Sequence, residues 1–428
     1  MSTVKPITLT RHLEGELEVG GIDLTELAQT YGTPLYVLDE ATLRDNCRAY
    51  TAPLSQHYPN YQVVFAGKAG LNKGILNLIA EEGLGVDVVS GGELYTALKS
   101  DVSHDKLLFH GNNKSLEEIS MALDHQIRIV VDNRQELKNI QTLCQQKACT
   151  ANLLVRLKPE IEAHTHDYIK TGHIDSKFGI DKRELIDIIS FIVDTPELKF
   201  LGIHGHIGSQ IFDVEPYLDL VRIMVCHLVH IKSEVGVEVE ELNLGGGIGI
   251  RYIEQDDPPA IDLFIEKLTT LLKEELKKAG LKEPKLILEP GRSIIGNAGL
   301  TLYTVGAVKP IPGIKDYVFV DGGMADNPRP MLYQAEYTFE LANKAGKGKP
   351  YTIAGKYCES GDVLAEGVLL PEPSVGDVLA VYGTGAYNYA MASNYNRCQR
   401  PAMVGVFGGH SRVLVRRETY DDVIRYDL

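Results

Sequence analysis

The sequence lacks three features that would each have placed it in a special class of protein. Its six cysteines are scattered over 428 residues, which excludes a disulfide framework. No apolar run is long enough to span a bilayer, and the first residues lack the apolar core of a secretory signal. A formal net charge of −15 excludes a general binder of nucleic acid or anionic membrane, because no overall positive field attracts phosphates. We therefore expect a cytoplasmic globular protein with reduced thiols.

The apolar pattern from about residue 60 onward predicts a barrel. Short runs rich in valine, isoleucine and leucine alternate with amphipathic stretches, which is typical of buried parallel strands joined by helical crossovers. Eight such runs predict an α/β fold whose first domain, over residues 39–300, is a (β/α)₈ TIM-type barrel. The predicted strands are Tyr61–Ala66, Gly85–Val89, Lys106–His110, Ile127–Val131, Asn152–Leu157, Phe200–His206, Glu240–Leu244 and Lys285–Glu289. The predicted helices include Asn72–Glu82, Leu116–His125, Arg134–Lys147 and Asp257–Ala279, the last with Asp257 as its cap and Pro258 in its first turn.

The rest of the chain predicts a second, β-rich domain. After about Leu300, strand-like segments such as Tyr317–Gly323 are separated by glycine, proline and asparagine, and helical periodicity nearly disappears. The segment Pro34–Asp39 also has the pattern of a strand and precedes the barrel. We therefore expect residues 1–38 and 301–428 to form one β-rich domain of sandwich or barrel-like type.

Lys68 is the first residue whose position suggests chemistry. It follows the first predicted strand within Phe65–Gly70, where glycines on either side of it leave room for a cofactor to approach. A lysine in a partly desolvated site can lose its proton and form a Schiff base. Taken alone, the pattern favours a surface lysine in a glycine-rich turn, so the interpretation depends on the other strand ends.

The ends of the last two predicted strands carry the pattern of a phosphate site. The seventh strand runs into Gly245–Gly249, which holds four glycines, and the eighth runs into Gly291 and Arg292. Successive glycines expose backbone N–H groups that can form an anion nest. The loops after strands seven and eight are also the recurrent phosphate site of this barrel. A glycine run alone indicates only a turn, but the two turns together predict a phosphate cradle.

Glu289 ends the eighth predicted strand and allows two interpretations. As a structural residue, it would pair with Arg292 or another base. As a functional residue, it would bind the protonated nitrogen of a pyridine ring, because a neighbouring carboxylate favours the charged form of that ring. The charged ring is the better electron sink.

Two histidines end the sixth predicted strand. His204 and His206 are two residues apart, so on a regular strand both side chains point to the same face. That spacing is compatible with a pair of metal ligands, although no third ligand stands out nearby, and a hydrogen-bonded pair lining the barrel is the plainer alternative. Beside a phosphate cradle, we favour stacking of His206 on a flat ring, with Ser209 donating to the phosphate. His164 and His166 lie in a loop with acidic neighbours, and we assign them no metal role.

These residues belong to a longer series of motifs that resembles diaminopimelate decarboxylases, within the fold-type III pyridoxal-phosphate enzymes. The resemblance runs from about residue 34 to the end of the sequence, and it rests on the order and coverage of the motifs. The motifs are Gly85–Tyr95, His110–Ser115, Ala163–Ile180, His206–Asp213, Leu242–Tyr252, Leu288–Gly299, Val320–Tyr333, Gly355–Asp362 and Thr384–Arg397.

The resemblance implies an activity and a set of residue roles. The activity is pyridoxal-phosphate-dependent decarboxylation of meso-2,6-diaminopimelate to L-lysine and carbon dioxide, the last step of lysine biosynthesis. The catalytic residues would be Lys68, which holds the cofactor as a Schiff base, and Cys358, which donates a proton. Cofactor-binding residues would be Lys68, Asp87, His206, Ser209, Gly246, Gly247, Glu289, Gly291, Arg292 and Tyr387. Substrate-binding residues would be Arg292, Arg329, Tyr333, Glu359 and Tyr387, and no metal is expected.

The resemblance also implies an assembly. The active unit would be a homodimer with active sites at the interface, where Cys358 and Glu359 are donated by the partner subunit. Asp362 and Lys177 would pair across that interface.

The segment around Lys68 departs from the family pattern at two positions. Members commonly have Tyr-Ala-x-Lys-Ala-Asn, whereas this chain has Phe65 in place of the tyrosine and Gly70 in place of the asparagine. The nucleophile is retained, so the change concerns the rigidity of the loop and its contacts with the cofactor.

Two alternatives to this activity stay open at the level of sequence. A related decarboxylase would act on ornithine, arginine or a carboxy-polyamine, but such enzymes should lack the patterns of Cys358–Asp362 and Asn327–Pro330. A non-catalytic binding protein could use the same scaffold, but the chain retains Lys68, His206, Glu289 and Cys358 together, which speaks against it.

Overall fold

The computed structural model describes residues 3–13, 15–159, 177–346 and 348–428, and the chain divides into two compact units. The β-rich unit comprises Met1–Asn46, Ile250–Asp257 and Ser293–Leu428. The barrel unit comprises Cys47–Gly249 and Pro258–Arg292. The predicted domain bounds at residues 39 and 300 stay a prediction.

The strands form a small three-stranded sheet, a closed barrel and a larger mixed sheet. The strands up to the end of the barrel are β1 Thr10–Arg11, β2 Leu17–Val19, β3 Ile22–Asp23, β4 Leu35–Asp39, β5 Tyr61–Ala66, β6 Gly85–Val88, β7 Leu107–Phe109, β8 Arg128–Val131, β9 Ala151–Leu157, β10 Leu198–Gly205, β11 Glu241–Asn243 and β12 Lys285–Leu288. The later strands are β13 Gly299–Ile311, β14 Lys315–Val320, β15 Phe339–Leu341, β16 Lys349–Ala354, β17 Val363–Leu370, β18 Val378–Tyr382, β19 Ala402–Phe407 and β20 His410–Val415.

The helices alternate with the barrel strands and become short after residue 292. They are α1 Leu24–Tyr31, α2 Glu40–His57, α3 Lys73–Glu81, α4 Gly91–Leu98, α5 Leu116–Asp124, α6 Arg134–Lys147, α7 Leu185–Val193, α8 Glu215–Val235, α9 Ile261–Ala279, α10 Arg292–Ile295, α11 Arg329–Tyr333 and α12 Tyr420–Ile424.

The predicted barrel is confirmed. Strands β5 to β12 follow one another around a closed ring, each parallel to its neighbours, and β12 pairs with β5 to close it. Every observed strand lies within two residues of its predicted bounds. Six of the strands each contribute one side chain to an apolar cluster, which explains why short valine, leucine and isoleucine runs identified them. The cluster consists of Val64, Leu108, Val130, Leu154, Leu201 and Ile287.

Short polar residues between strands and helices start several of the barrel helices. Asn72, Ser90, Ser115 and Asn133 each accept a backbone N–H from the first turn of the helix that follows. Such caps satisfy amide groups that have no partner inside the helix. They therefore end each loop at a defined residue, which keeps the loops at the carboxyl ends of the strands short.

The predicted start of the last long helix is wrong. Helix α9 begins at Ile261, and its cap residue Ala260 makes no side-chain hydrogen bond. The reason is local, because Pro258 is followed by Pro259, and a residue before proline is driven away from helical backbone angles. Asp257 is exposed and pairs with Arg251 at 3.3 Å instead of capping the helix.

The β-rich unit confirms that the N-terminal segment joins the C-terminal part of the chain. Strand β4 lies between β13, to which it is antiparallel, and β19, to which it is parallel. The long strand β13 pairs with β4 and β18 through its first half and with β14 through its second half. Two apolar clusters fill this unit. Within the described part of the chain, no helix has both the length and the apolarity needed to cross a membrane.

Candidate active site

Lys68 lies in a single 3₁₀ turn, Gly67–Ala69, directly after β5. Its neighbours in the turn are buried, whereas its own side chain is exposed. A Cβ atom at Gly67 would lie 2.7 Å from the carbonyl oxygen of Asp87, so a residue without a side chain lets this turn pack against β6. The fold therefore fixes the backbone of Lys68 at the carboxyl end of the barrel and leaves its amine accessible.

Glu289 follows β12 and is the centre of a buried hydrogen-bond cluster. Its Oε1 accepts from Nε2 of His110 at 2.7 Å and from Nδ2 of Asn243 at 2.6 Å. Its Oε2 accepts from Nε2 of His204 at 3.2 Å. The sequence left a structural pairing with Arg292 open, but the partners of Glu289 are the two histidines and the asparagine.

This cluster keeps Glu289 ionised. Burial opposes ionisation, but the electrostatic interactions and hydrogen bonds with His110 and His204 outweigh it and hold the pKa of Glu289 well below its usual range. Burial lowers the pKa of His204 to about 4 even though Glu289 acts in the other direction. His204 is therefore neutral at physiological pH, and it donates the hydrogen of its Nε2 to the carboxylate.

His206 comes one residue after the end of β10. Its Nδ1 accepts the backbone N–H of Gly246 at 3.4 Å, which ties the ring to the loop after β11. Burial lowers the pKa of His206 well below its usual range, and the positive charges of Lys68 and Arg156 lower it further. A neutral ring in a fixed orientation is well suited to stacking on another flat ring.

Asp87 on β6 completes this end of the barrel. It is buried, and its Oδ1 lies 4.0 Å from Nε2 of His110 without a hydrogen-bond partner among the described residues. Burial raises the pKa of Asp87, while the charges of His110 and Lys68 lower it and that of Glu289 raises it. Leaving a buried oxygen without a partner is costly, so this atom favours a polar ligand beside Lys68.

The glycine loops form a cradle of backbone groups that are packed too closely to admit side chains. A Cβ atom at Gly246 would lie 2.0 Å from the carbonyl oxygen of Glu289, and one at Gly247 would lie 2.3 Å from that of Gly208. Gly247 also has a φ of +114°, which favours glycine. The backbone N–H of Ile211 donates to the carbonyl of Gly247 at 3.0 Å, so the loops after β10 and β11 form one surface.

Ser209 and Arg292 meet beside this surface. One terminal nitrogen of the buried Arg292 guanidinium donates to Oγ of Ser209 at 3.0 Å. Gly291 precedes the arginine, and a Cβ atom there would lie 2.9 Å from Cβ of Ala66 at the end of β5. The turn after β12 therefore packs directly against the strand that leads into Lys68.

The barrel residues fit a bound pyridoxal phosphate. An accessible lysine, an ionised carboxylate, a neutral flat ring and a side-chain-free cradle lie at the carboxyl ends of the strands, where such barrels bind ligands. The buried oxygen of Asp87 that has no partner in the described part of the chain adds a place for a polar group. The predicted role of each residue toward the cofactor stays a prediction.

The predicted substrate residues of the β-rich unit form a separate group. The Arg329 guanidinium is buried and lies 5.3 Å from the centre of the Tyr333 ring and 5.4 Å from that of Tyr387. Its Nε donates to the hydroxyl of Tyr337 at 3.0 Å. Burial acts to lower the pKa of Arg329, but the neighbouring tyrosines outweigh it and raise the pKa. Although prolines flank it in the sequence, Arg329 is therefore buried, and the group presents a fixed cation between aromatic rings.

Cys358 and Glu359 lie in the loop between β16 and β17, and both side chains are exposed. The backbone N–H of Cys358 donates to Oδ1 of Asn396 at 2.8 Å, which holds the loop at this point. Asp362, at the end of the same loop, is buried and accepts two backbone N–H groups. Its predicted pairing with Lys177 of a partner subunit stays a prediction.

Two residues with direct contacts to Glu289 were missed at the level of sequence as site residues. His110 follows β7, and Asn243 is the last residue of β11, so both are polar residues at the ends of apolar strands. That position was the available signal, because such barrels place functional side chains there. His164 and His166, together with most of the motif Ala163–Ile180, lie outside the described residues.

The group formed by His110, His204 and Glu289 also has the composition of a metal site. Among the described residues, these three place one ligand atom each within 4.8 Å of the others. Hydrogen bonds of 2.7 and 3.2 Å between the same atoms account for this proximity. We therefore describe the group as a hydrogen-bonded support for the carboxylate.

Comparison with known proteins gives the following similarities. The family model described as the pyridoxal binding domain of pyridoxal-dependent decarboxylases matches residues 42–296. A diaminopimelate decarboxylase of Bacillus subtilis is 45% identical over 98% of this chain and 97% of its own, and one of Synechocystis is 44% identical over 99% of this chain and 92% of its own. The crystal structure of diaminopimelate decarboxylase from M. jannaschii with L-lysine has a TM-score of 0.92 and 35% identity, and the match covers 99% of this chain and 98% of that chain.

Proposed function

This chain belongs to the pyridoxal-dependent decarboxylases, and on that premise we propose that it converts meso-2,6-diaminopimelate to L-lysine and carbon dioxide. The observation that carries the proposal is the ionised Glu289 at the end of the last barrel strand, held by His110, His204 and Asn243 next to the Lys68 turn. The reaction is the last step of lysine biosynthesis, and the enzyme is a carboxy-lyase.

Pyridoxal phosphate supplies the electron sink for the electron pair of the bond that breaks. Lys68 would bind the cofactor covalently, and Glu289 would favour the protonated ring nitrogen, because a neighbouring ionised carboxylate favours the charged form. His206 would stack on the ring. The backbone N–H groups around Gly246 and Gly247 bind the phosphate, together with Ser209, Gly291, Arg292 and Tyr387.

The remaining residues orient the substrate and supply a proton. Holding the substrate in a reactive orientation can contribute several kcal/mol to catalysis. Cys358 delivers a proton from Sγ to the α-carbon after carbon dioxide departs. Arg329 binds the distal carboxylate with Arg292, Tyr333 and Tyr387, and Glu359 binds the distal ammonium group.

Substrate choice follows from the buried guanidinium of Arg329. Its planar fork matches a carboxylate in a bidentate way. A substrate without a distal carboxylate leaves this buried cation unpaired, at a cost of about 2–5 kcal/mol. This supports diaminopimelate over ornithine and arginine, which a related decarboxylase would take.

The test is release of carbon dioxide from meso-diaminopimelate, with lysine identified as the product. Ornithine and arginine are assayed at the same concentrations, and a preference for either would refute the substrate assignment. The holoenzyme should be yellow, and borohydride should fix the cofactor on the peptide that contains Lys68. A label on another peptide would refute the role of Lys68, and Lys68→Ala is the matched control.

The homodimer with shared active sites is part of the proposal. It is supported by the exposure of Cys358 and Glu359 in the single chain, since residues that act in a closed site need cover from elsewhere. Lys68→Ala and Cys358→Ala chains, each nearly inactive alone, should recover about a quarter of wild-type activity when mixed and allowed to exchange, because a two-fold heterodimer has one intact site. No recovery in exchanged heterodimers would refute donation from the partner. A cytoplasmic location completes the proposal.

A further inference from the structure

Two loops of the β-rich unit carry residues that the proposed function uses. Loop A, residues 321–329, joins β14 to α11 and ends in Arg329. Loop B, residues 355–362, joins β16 to β17 and carries Cys358 and Glu359. Each loop contributes one buried aspartate, and neither aspartate has a role in the proposed chemistry.

Asp362 of loop B ties the two loops together. Its Oδ1 accepts the backbone N–H of Met324 in loop A at 2.7 Å, and its Oδ2 accepts that of Tyr357 in loop B at 2.8 Å. A Cβ atom at Gly323 would lie 2.3 Å from Oδ1, and one at Gly355 would lie 2.2 Å from Oδ2. Glycine at both positions therefore lets the carboxylate sit directly between the loop backbones.

Asp326 of loop A makes the reciprocal contact. Its Oδ2 accepts the backbone N–H of Gly323 at 3.0 Å and the hydroxyl of Tyr357 at 3.1 Å. Its Oδ1 accepts the hydroxyl of Tyr303. Its backbone carbonyl accepts the hydroxyl of Tyr36 at 2.6 Å. The side chain of Asp326 thus holds the residue that immediately precedes Cys358.

Asp326 can change its charge near neutral pH. It is 1% exposed, and burial raises its pKa to about 7, although the donors Tyr303, Gly323 and Tyr357 act to lower it. The charge of Asp362 acts to raise it as well. The guanidinium of Arg417 donates to backbone carbonyls, one of them that of Pro34 at 2.7 Å, and it interacts electrostatically with Asp321 and Asp326. Among the described residues, the titratable and charged groups that interact with Asp326 include Tyr36, Tyr303, Tyr357, Asp362 and Arg417.

We propose that Asp326 is a positioning residue whose ionised carboxylate anchors Tyr357 and so holds loop B, with Cys358 and Glu359, in register with loop A and Arg329. The role of the loops rests on the proposed function, whereas the anchor itself is a property of the β-rich unit.

The physical reason is that protonation removes the negative charge to which the three hydrogen-bond donors of Asp326 are bound. The ionised carboxylate accepts three hydrogen bonds, one of them from Tyr357. Once protonated, Asp326 has no charge, so its hydrogen bonds to the three donors are no longer charge-assisted and are weaker. One of these three bonds comes from the hydroxyl of the half-buried Tyr357, so the loss of charge weakens the hold on loop B. Loop B therefore loosens as the pH falls through about 7.

The test is amide hydrogen exchange of the full-length holoenzyme, corrected for the intrinsic exchange rate. The pH is varied from about 5.5 to about 8.5, which extends roughly 1.5 units to each side of the pKa of Asp326. Wild-type peptides covering residues 355–362 should become more protected as the pH rises. Asp326→Asn should show low protection at every pH, because the amide brings its own donors. Tyr357→Phe should lose the same pH dependence while it keeps the carboxylate and the fold.

Asp377→Asn is the matched control. Asp377 is another buried carboxylate of the β-rich unit, and it accepts from Ser374, Asn343 and Lys344 rather than from loop A or loop B. This variant should keep the wild-type pH dependence of exchange. If Asp326→Asn also keeps it, or if Asp377→Asn loses it, the proposal is overturned.

Activity gives a second readout that separates this inference from the proposed function. Asp326→Asn should lower kcat about tenfold at pH 8 and abolish the part of the kcat profile that rises near pH 7, as expected for one lost hydrogen bond to a charged group. A kcat profile that keeps its wild-type shape in Asp326→Asn would overturn the positioning role. If the wild-type protein released no carbon dioxide from any of the amino acids tested, the proposed function would fail while the exchange result would still decide on the anchor.

Discussion

The substitution Glu289→Gln tests the centre of the site because it removes one charge and little else. Glutamine keeps the shape and one carbonyl oxygen, which can still accept from His110 and Asn243 as Oε1 does now. Its amide then faces His204. Nδ1 of His204 has no hydrogen-bond partner among the described residues, so this histidine can move its proton there and accept the amide hydrogen at Nε2. We therefore expect the variant to fold.

The magnitude follows from the hydrogen bond that we propose between the charged carboxylate and the protonated ring nitrogen. A hydrogen bond to a charged group contributes about 1.5–3 kcal/mol, which corresponds to about a 10- to 150-fold change in rate or affinity. We expect kcat/KM for meso-diaminopimelate to fall within that range, with weaker cofactor binding. Initial rates of carbon dioxide release at saturating cofactor and an absorbance titration of the apoenzyme measure the two effects.

The matched control is Glu241→Gln. Glu241 is also a buried barrel carboxylate, but it is the first residue of β11 and pairs with Arg128 at 2.7 Å and Lys285 at 3.2 Å. The Glu241→Gln enzyme should be less stable than the wild type and keep its kcat/KM, because residues at the amino ends of the strands contribute to stability rather than to catalysis in such barrels. Wild-type kcat/KM in a folded Glu289→Gln enzyme, or an equal loss in Glu241→Gln, would refute the reasoning.

Three further predictions follow from other parts of the two units. Arg329→Met should lower kcat/KM for meso-diaminopimelate about 30-fold or more, because the proposed buried charge pair with the distal carboxylate is lost. Parallel assays with ornithine, which has no distal carboxylate, should show little change in kcat/KM. Gly246→Ala should weaken cofactor binding and lower the melting temperature, since its Cβ would lie 2.0 Å from the carbonyl oxygen of Glu289; unchanged values would contradict the cradle. The pKa of His204 is lowered from 6.5 to about 4, so the unfolded chain takes up the proton first, and stability present above pH 6.5 is lost as the pH falls toward 4. Between pH 7 and 4.5 that loss should amount to about 2 kcal/mol and be absent in His204→Gln, as urea unfolding of the apo chain at the two pH values can establish.

Local sequence pattern was sufficient for the barrel because each strand is a short apolar run, and several of the helices between the strands begin at a capping residue. The pattern failed at Asp257, where a second proline overrode the signal of a helix start. It also named Lys68, the glycine loops and Glu289, since each is an unusual residue at the end of a predicted strand. It did not reveal His110 and Asn243 as partners of Glu289, because a polar residue in a local pattern does not disclose a contact that only barrel closure creates.

The sequence by itself determined the fold class, and it placed Lys68 and the glycine loops, which are predicted to bind the cofactor, at the ends of barrel strands, because these features depend on periodicity and on residues a few positions apart. Only the tertiary structure decided the protonation of the site. His110 and Glu289 are 179 residues apart, yet their contact of 2.7 Å keeps the carboxylate ionised against the effect of burial. Likewise, Asp326 and Tyr357 meet across 31 residues, and only their enclosure brings a carboxyl pKa to about 7 beside Cys358. Charge states depend on burial and on neighbours brought together by folding, and neither is written in the local pattern.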